Sequence, residues 1–192
     1  MKTVSYNYNL KKINKIMEPT TKSSATNYGI YLGAILSLIT VLIYAVNLDL
    51  FTEWWLGIIL FLVVVACGVV SAVKSRTILN GFISFKQAFT SYFITIAIGT
   101  LIATVVGIAI FTFIDPEAAT YLNEQILLVT KQTMQRFGMP QEAMQAALEE
   151  AATKDNFSLG MQSQAFAFRL AFYAVIGLIV ALIVKKTDEK EA

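Results

Sequence analysis

Long, almost uncharged apolar runs recur along the chain at Ala25–Asn47, Trp54–Val73, Ala88–Ile114 and Ala165–Val184. About 20 residues of α-helix cross the roughly 30 Å hydrocarbon layer of a bilayer. Each run therefore predicts one transmembrane helix, with spans near 27–46, 54–73, 88–114 and 165–184. The first is too long for the core of a signal peptide and has no small-x-small cleavage site after it, so it reads as an uncleaved helix. The second opens on the adjacent Trp54 and Trp55, which suits the aromatic belt at a membrane interface. Only Leu48–Glu53 separates these two runs, a link short enough to force an antiparallel pair. The third exceeds what a straight crossing needs, so it tilts or begins in the interface. The fourth stops at Lys185 and Lys186.

Between the third and fourth runs the pattern changes. Asp115-Pro116-Glu117 supplies a capping side chain, a proline at the first helical position and an acidic first turn. Leu122, Ile126 and Val129 then alternate with Glu124, Lys131 and Arg136, an amphipathic pattern. Gly138 ends that helix and Pro140 opens another, which sets Ala143, Met144, Ala147 and Leu148 against Glu142, Glu149 and Glu150. Residues 115–164 thus predict an amphipathic helical hairpin outside the bilayer. The fold class is all-α, an integral membrane four-helix bundle with that hairpin between helices three and four. Residues 1–24 form a basic tail, 25–184 the membrane domain, and 185–192 a short second tail.

Composition supports the same class. Apolar side chains make up 56% of the 192 residues and charged ones 15%, against about 25% charged in soluble domains. A soluble bundle would have to hide all of these runs in one small core. Lys11, Lys12, Lys15 and Lys22 precede the first run, Lys74, Arg76 and Lys86 lie between the second and third, and Lys185, Lys186 and Lys190 follow the fourth. The first link carries only Asp49 and Glu53, and the hairpin is predominantly acidic. By the positive-inside rule both termini are cytoplasmic and 115–164 lies on the far side; an even number of spans requires the same sidedness of the two ends. Residues 1–16 are basic, without an acidic residue, and differ in composition from the rest of the chain. One reading has Met17 as the start and the preceding stretch as an over-long gene reading; the other has a tail that touches anionic lipid.

The chemistry on offer is sparse. There is no histidine, and the single cysteine, Cys67, sits in an apolar run, so an internal disulfide and the usual neutral-pH base are both excluded. No catalytic, metal-ligating or cofactor-binding set stands out, and the small net charge of +2 gives no case for nucleic acid. In lipid, helices associate through small residues and polar pairs. Gly29, Gly33 and Ser37, then Gly99, Ala103 and Gly107, and finally Gly177 with Ala181, form such stripes. They are packing seams of one bundle, or contacts for a second copy or a membrane-protein partner. Arg169 is the one cation inside the fourth run. It either snorkels to headgroups or pairs across the bundle and reads an anionic lipid or substrate. Lys74 and Arg76 are topology determinants that can also hold a lipid phosphate. Thr95, Thr100 and Thr104 on helix three, with Ser37, Thr40 and Tyr44 on helix one, line a polar seam or bond back to their own helices.

The segment Gly81-Phe82-Ile83-Ser84-Phe85-Lys86-Gln87-Ala88-Phe89, the four-span layout, and the Asp115-Pro116 loop containing Phe137-Gly138-Met139 resemble the domain-of-unknown-function 4199 family (DUF4199). The resemblance implies small bacterial inner-membrane proteins typical of Bacteroidetes, without an assigned activity, and it carries over no catalytic residues. In physical terms Phe85, Lys86 and Phe89 read as an interfacial anchor or a docking surface for a cytoplasmic partner. The expected role is a non-enzymatic accessory or scaffold subunit in contact with membrane lipids. The alternative is a small transporter or anionic-lipid-binding protein with a polar seam near Arg169.

Overall fold

The computed structural model describes residues 20–186; the expectations for residues 1–19 and for the tail after Lys186 lie outside them. Helix α1 (Thr21–Val46) starts where the Thr20 hydroxyl accepts from the Ser23 amide at 3.1 Å. It ends at Asn47, whose side chain accepts from the Asp49 amide and opens a 3-10 turn at Leu48–Thr52. Helix α2 (Trp54–Ile78) ends as Asn80 and Gly81 take positive φ, and the Gly81 amide donates back to the Arg76 carbonyl. The left-handed pair reverses the chain, a conformation glycine adopts without steric cost.

Helix α3 (Phe85–Ile108) begins in a capping box. The Gln87 amide donates to Ser84 Oγ, and the Ser84 amide donates to Gln87 Oε1. Its last turn widens into a π-helical turn at Ala109–Ile114. Helix α4 (Pro116–Arg136) is capped by Asp115, which accepts from the Ala118 amide at 3.0 Å. Helix α5 (Gln141–Ala152) returns along it after a turn at Gly138, and α6 (Leu159–Val184) crosses back, capped by Ser158. Beyond α6, Lys186 and Ile83 exchange two backbone hydrogen bonds of 2.9 and 3.0 Å, clasping the segment just after α6 to the α2–α3 loop.

Helices α1, α2, α3 and α6 are each long and apolar enough to span a membrane. Helix α3 is their centre and packs against the other three. Its buried positions, from Ala88 through Tyr92, Thr95, Ile96 and Gly99 to Thr104, spread around much of its circumference. The apolar surface is inverted relative to a soluble protein. Leu38, Leu62, Val105, Phe168, Val175 and Ile183 stand exposed on the outside, an arrangement that lipid rather than water stabilises. Trp54 and Trp55 lie exposed at the start of α2.

Glycines set the helix spacing. A Cβ built on Gly33 would stand 2.7 Å from Ile102 Cβ, and one on Gly99 would stand 2.6 Å from Leu32 Cγ, so α1 and α3 approach at backbone distance. Gly29 likewise fits against Ile98. On the other side Tyr92 is fully buried, with its ring between Gly68 of α2 and Gly177 of α6. A polar knot joins three helices beside it. The Thr95 hydroxyl lies 2.7 Å from Ser71 Oγ of α2, 2.9 Å from the Ala25 carbonyl of α1 and 3.0 Å from its own Ser91 carbonyl.

At the opposite end the hairpin is bonded to the bundle. Tyr44 donates to Asp115 Oδ2 at 2.9 Å, and Tyr121 of α4 donates to Asp49 Oδ1 at 2.5 Å. Beneath them Phe111 packs with Phe51 and Phe157, and Leu122 is 1% exposed. Helix α4 thus covers part of the bundle end.

Candidate functional site

A cavity of about 400 Å³ opens in the hairpin half of the bundle. Helix α1 contributes Leu36 and Thr40, α2 Gly57, Leu60, Phe61 and Val64, and α3 Thr100, Ala103, Thr104 and Gly107. Helix α6 adds Gln162, Arg169 and Tyr173, while Phe51, Thr52, Phe111, Leu122, Ile126 and Phe157 complete the hairpin side. The space exists partly because two glycines face it. A Cβ on Gly57 or on Gly107 would meet nothing within 4 Å. Gly107, expected in a packing seam, therefore packs against no neighbour and stands on the cavity wall.

Arg169 is on that wall for a helical reason. Tyr173, Gly177, Val180, Ala181 and Val184 are the buried positions of α6. Arg169 precedes Tyr173 by one helical turn and so extends the bundle-facing stripe. It remains exposed at the cavity, and Gln162 lies two turns earlier on the same face. No carboxylate is among the wall residues, and the one ion pair among the described residues is Lys154–Glu150, on the hairpin. A cation inside an apolar span without a protein counter-charge is costly, and an anion in the cavity would offset that cost.

The hydroxyls divide by role. Thr40 and Thr100 bond back to the Leu36 and Ile96 carbonyls. Thr104 Oγ1 and Ser37 Oγ are buried without a protein partner. Tyr44 serves the hairpin attachment instead. Towards the end where α1 begins, the wall stops at Val64, Thr100 and Tyr173, and the fully buried Tyr92 and Thr95 lie further towards that end.

The other residues singled out in the sequence lie elsewhere. Phe85 and Phe89 stack with ring centroids 6.5 Å apart, and Phe89 continues the stack to Phe93 at 5.7 Å. Lys86 is exposed beside them, Lys74 is exposed and Arg76 half-buried near the end of α2. These cations belong to the end where α1 begins and α6 ends, where Lys186 lies 5.8 Å over the Phe82 ring, and are not brought to Arg169. Gly29, Gly33, Gly99, Gly177 and Ala181 are all buried inside the bundle, and Ala103 is half-buried on the cavity wall. Gln162 and Tyr173 were not singled out in the sequence, although their spacing from Arg169 places all three on one face. Gly57 carries no local signal at all.

Two further depressions lie along the hairpin. One of about 480 Å³ sits at its foot between Asn123, Lys154 and Asp155, and one of about 840 Å³ follows the seam of α4 and α5 past Leu128 and Met144. Glu124 borders both, and Lys131 and Glu149 edge the second, as befits a solvated surface.

Comparison with curated proteins and with solved structures gives no match. A family described as a protein of unknown function, DUF4199, matches residues 27–186. That range holds most of α1, the complete α2 to α6 and the whole cavity wall, so this multi-pass membrane chain belongs to the DUF4199 family.

Proposed function

We propose that the protein is a non-enzymatic, membrane-embedded accessory subunit that binds an anionic group in the cavity facing Arg169. The observation that carries this reading is Arg169 itself, an unpaired cation on the bundle-facing stripe of α6. Of the two roles expected for it, recognition of an anion gains over snorkelling to headgroups. Binding is favoured over catalysis because the wall offers hydroxyls, one amide and one guanidinium, with no carboxylate, thiol or imidazole to move a proton. Use of the glycine stripes by a partner loses support, since Gly29, Gly33, Gly99 and Gly177 are occupied by neighbours within the same bundle.

The proposed setting is the bacterial inner membrane, with both termini cytoplasmic and residues 115–164 periplasmic. Lys22, Lys74, Arg76, Lys86, Lys185 and Lys186 gather at one end of the bundle, which supports that orientation. The cavity would then face the periplasmic side. The test is thermal unfolding of purified protein in a neutral detergent, with inorganic phosphate or decyl phosphate added. At least one should raise the midpoint of wild type and leave Arg169→Gln unmoved; no shift with either probe would remove the reading.

A further inference from the structure

We infer that the distal half of the hairpin is a membrane anchor: the face of α4 that sits on the bundle end continues past it and rests on anionic lipid, with the Phe137 ring at the headgroup–acyl boundary and Arg136 beside lipid phosphate. Helical register defines that face. Ala118, Ala119 and Leu122 are the buried positions of α4, and Ile126 follows on the cavity wall. Steps of three and four residues carry the same stripe on through Val129 and Thr133 to Arg136. Burial falls along it, from 1% exposed at Leu122 to 39% at Val129 and 85% at Phe137, just beyond the helix. Contact with the bundle on this face therefore fades after Ile126, and about 15 Å of helix runs on to Arg136.

Helix α5 does not cover the stripe. The α4 residues that border the seam with α5 include Glu124, Leu128, Lys131 and Gln135, on the opposite side of the helix. Helix α4 thus has α5 on one side and, on the other, first the bundle and then open space. That space begins at the membrane surface. Helix α4 starts directly after the π-helical turn that ends α3, and it meets the bundle through that turn and the 3-10 turn before α2. Trp54, 76% exposed where α2 begins, marks the level of the aromatic belt at the same end. Lipid that covers the outer apolar surface of the bundle therefore presents its headgroups beneath the overhang. Charge fits that neighbour. Between Glu124 and Glu142 the chain carries Lys131 and Arg136 and no carboxylate, whereas the rest of the hairpin is predominantly acidic. Exposed apolar side chains beside a cation suit the boundary between anionic headgroups and acyl chains.

Fluorescent probes on the two sides of the hairpin test this. In the Cys67→Ala background, Thr133→Cys puts a fluorophore on the stripe and Ala146→Cys puts one on the exposed side of α5, away from the seam. The full chain is reconstituted in nanodiscs of phosphatidylglycerol and phosphatidylcholine that contain a lipid with a nitroxide near its headgroup. The nitroxide should quench the Thr133 probe about threefold more than the Ala146 probe. Phe137→Ser/Arg136→Gln should bring the Thr133 value down to that of Ala146, and Phe137→Trp should preserve it. Discs of phosphatidylcholine alone should weaken it about twofold. Phe137 and Arg136 are exposed, so these variants leave the packing of the bundle intact. Loss of the ring, in Phe137→Ser as in Phe137→Cys, leaves the turn open to water. Equal quenching at the two positions, or no response to Phe137→Ser/Arg136→Gln, would overturn the anchor. Protection of the Thr133 probe from lipid nitroxide and aqueous iodide alike would place a second copy of the chain on this face, and the lipid assignment would fail. Unchanged quenching in phosphatidylcholine alone would overturn the part given to Arg136 and anionic lipid.

Discussion

The Tyr92 ring stands where a side chain on Gly177 would have to be: a Cβ there would lie 2.7 Å from Tyr92 Cδ1. Gly68 faces the other edge of the ring in the same way, at 2.6 Å from Cε2. The aromatic wedge and its two notches thus join α2, α3 and α6.

Filling a notch should separate these helices. Gly177→Ala and Gly68→Ala are each expected to lower stability by about 1–2 kcal/mol, as overpacking of a close-packed core does. Gly107→Ala, with no neighbour to displace, should leave stability unchanged or raise it by about 0.5–1 kcal/mol, the helical preference for alanine over glycine. Thermal unfolding in one detergent compares the three; an equal response from all of them would refute the wedge.

The Thr95 knot predicts a smaller, coupled effect. Thr95→Val keeps the shape, removes the hydroxyl that meets Ser71 and the Ala25 carbonyl, and should cost about 1 kcal/mol, near the upper half of measured interhelical hydrogen bonds. Ser71→Ala should add little in the Thr95→Val background, because both changes remove one shared contact. Additive losses in the double-mutant cycle would show that the two hydroxyls act independently.

Attachment of the hairpin should depend on pH at both extremes. The Ala118 amide and the Tyr44 hydroxyl hold the Asp115 carboxyl below its ordinary value of 3.8. A depressed carboxyl stabilises the fold above its unfolded pKa, and that contribution is lost as pH falls through the folded value. The hydrogen bond to Asp49 raises the Tyr121 phenol above its ordinary 10.0. Its contribution is complete below pH 10 and is lost as pH rises through the raised value. Hydrogen exchange in α4 should therefore quicken below about pH 4 and above about pH 10. Asp115→Asn should remove the acidic limb only.

Sidedness is open to direct labelling in intact cells. In the cysteine-free Cys67→Ala background, Phe137→Cys places a thiol at a position 85% exposed at the hairpin turn. It should react with a membrane-impermeant maleimide, whereas Lys86→Cys should react only after permeabilisation. The opposite pattern would invert the proposed topology.

Uncharged length is a local property, so the four spans were legible from the runs alone. The hairpin was legible too, because Asp115-Pro116 and Gly138-x-Pro140 encode start and stop signals within a few residues. Even the internal use of Gly29 and Gly33 was within reach, since small residues four apart share one helix face. The cavity was not. Gly107 belongs to the same stripe pattern as Gly99, yet one accepts Leu32 and the other faces open space; only the neighbours' positions separate them. Arg169 carried two readings in sequence because a lone cation does not state which way its helix is turned. Packing fixes that rotation: Tyr173, Gly177 and Val180 are buried against the other helices, which sets Arg169, one turn before Tyr173, on the cavity wall, where it stays exposed. Composition and periodicity determine which segments leave water, but how each helix is rotated about its axis, and hence which side chains share a space, is settled by contacts between residues far apart in the chain.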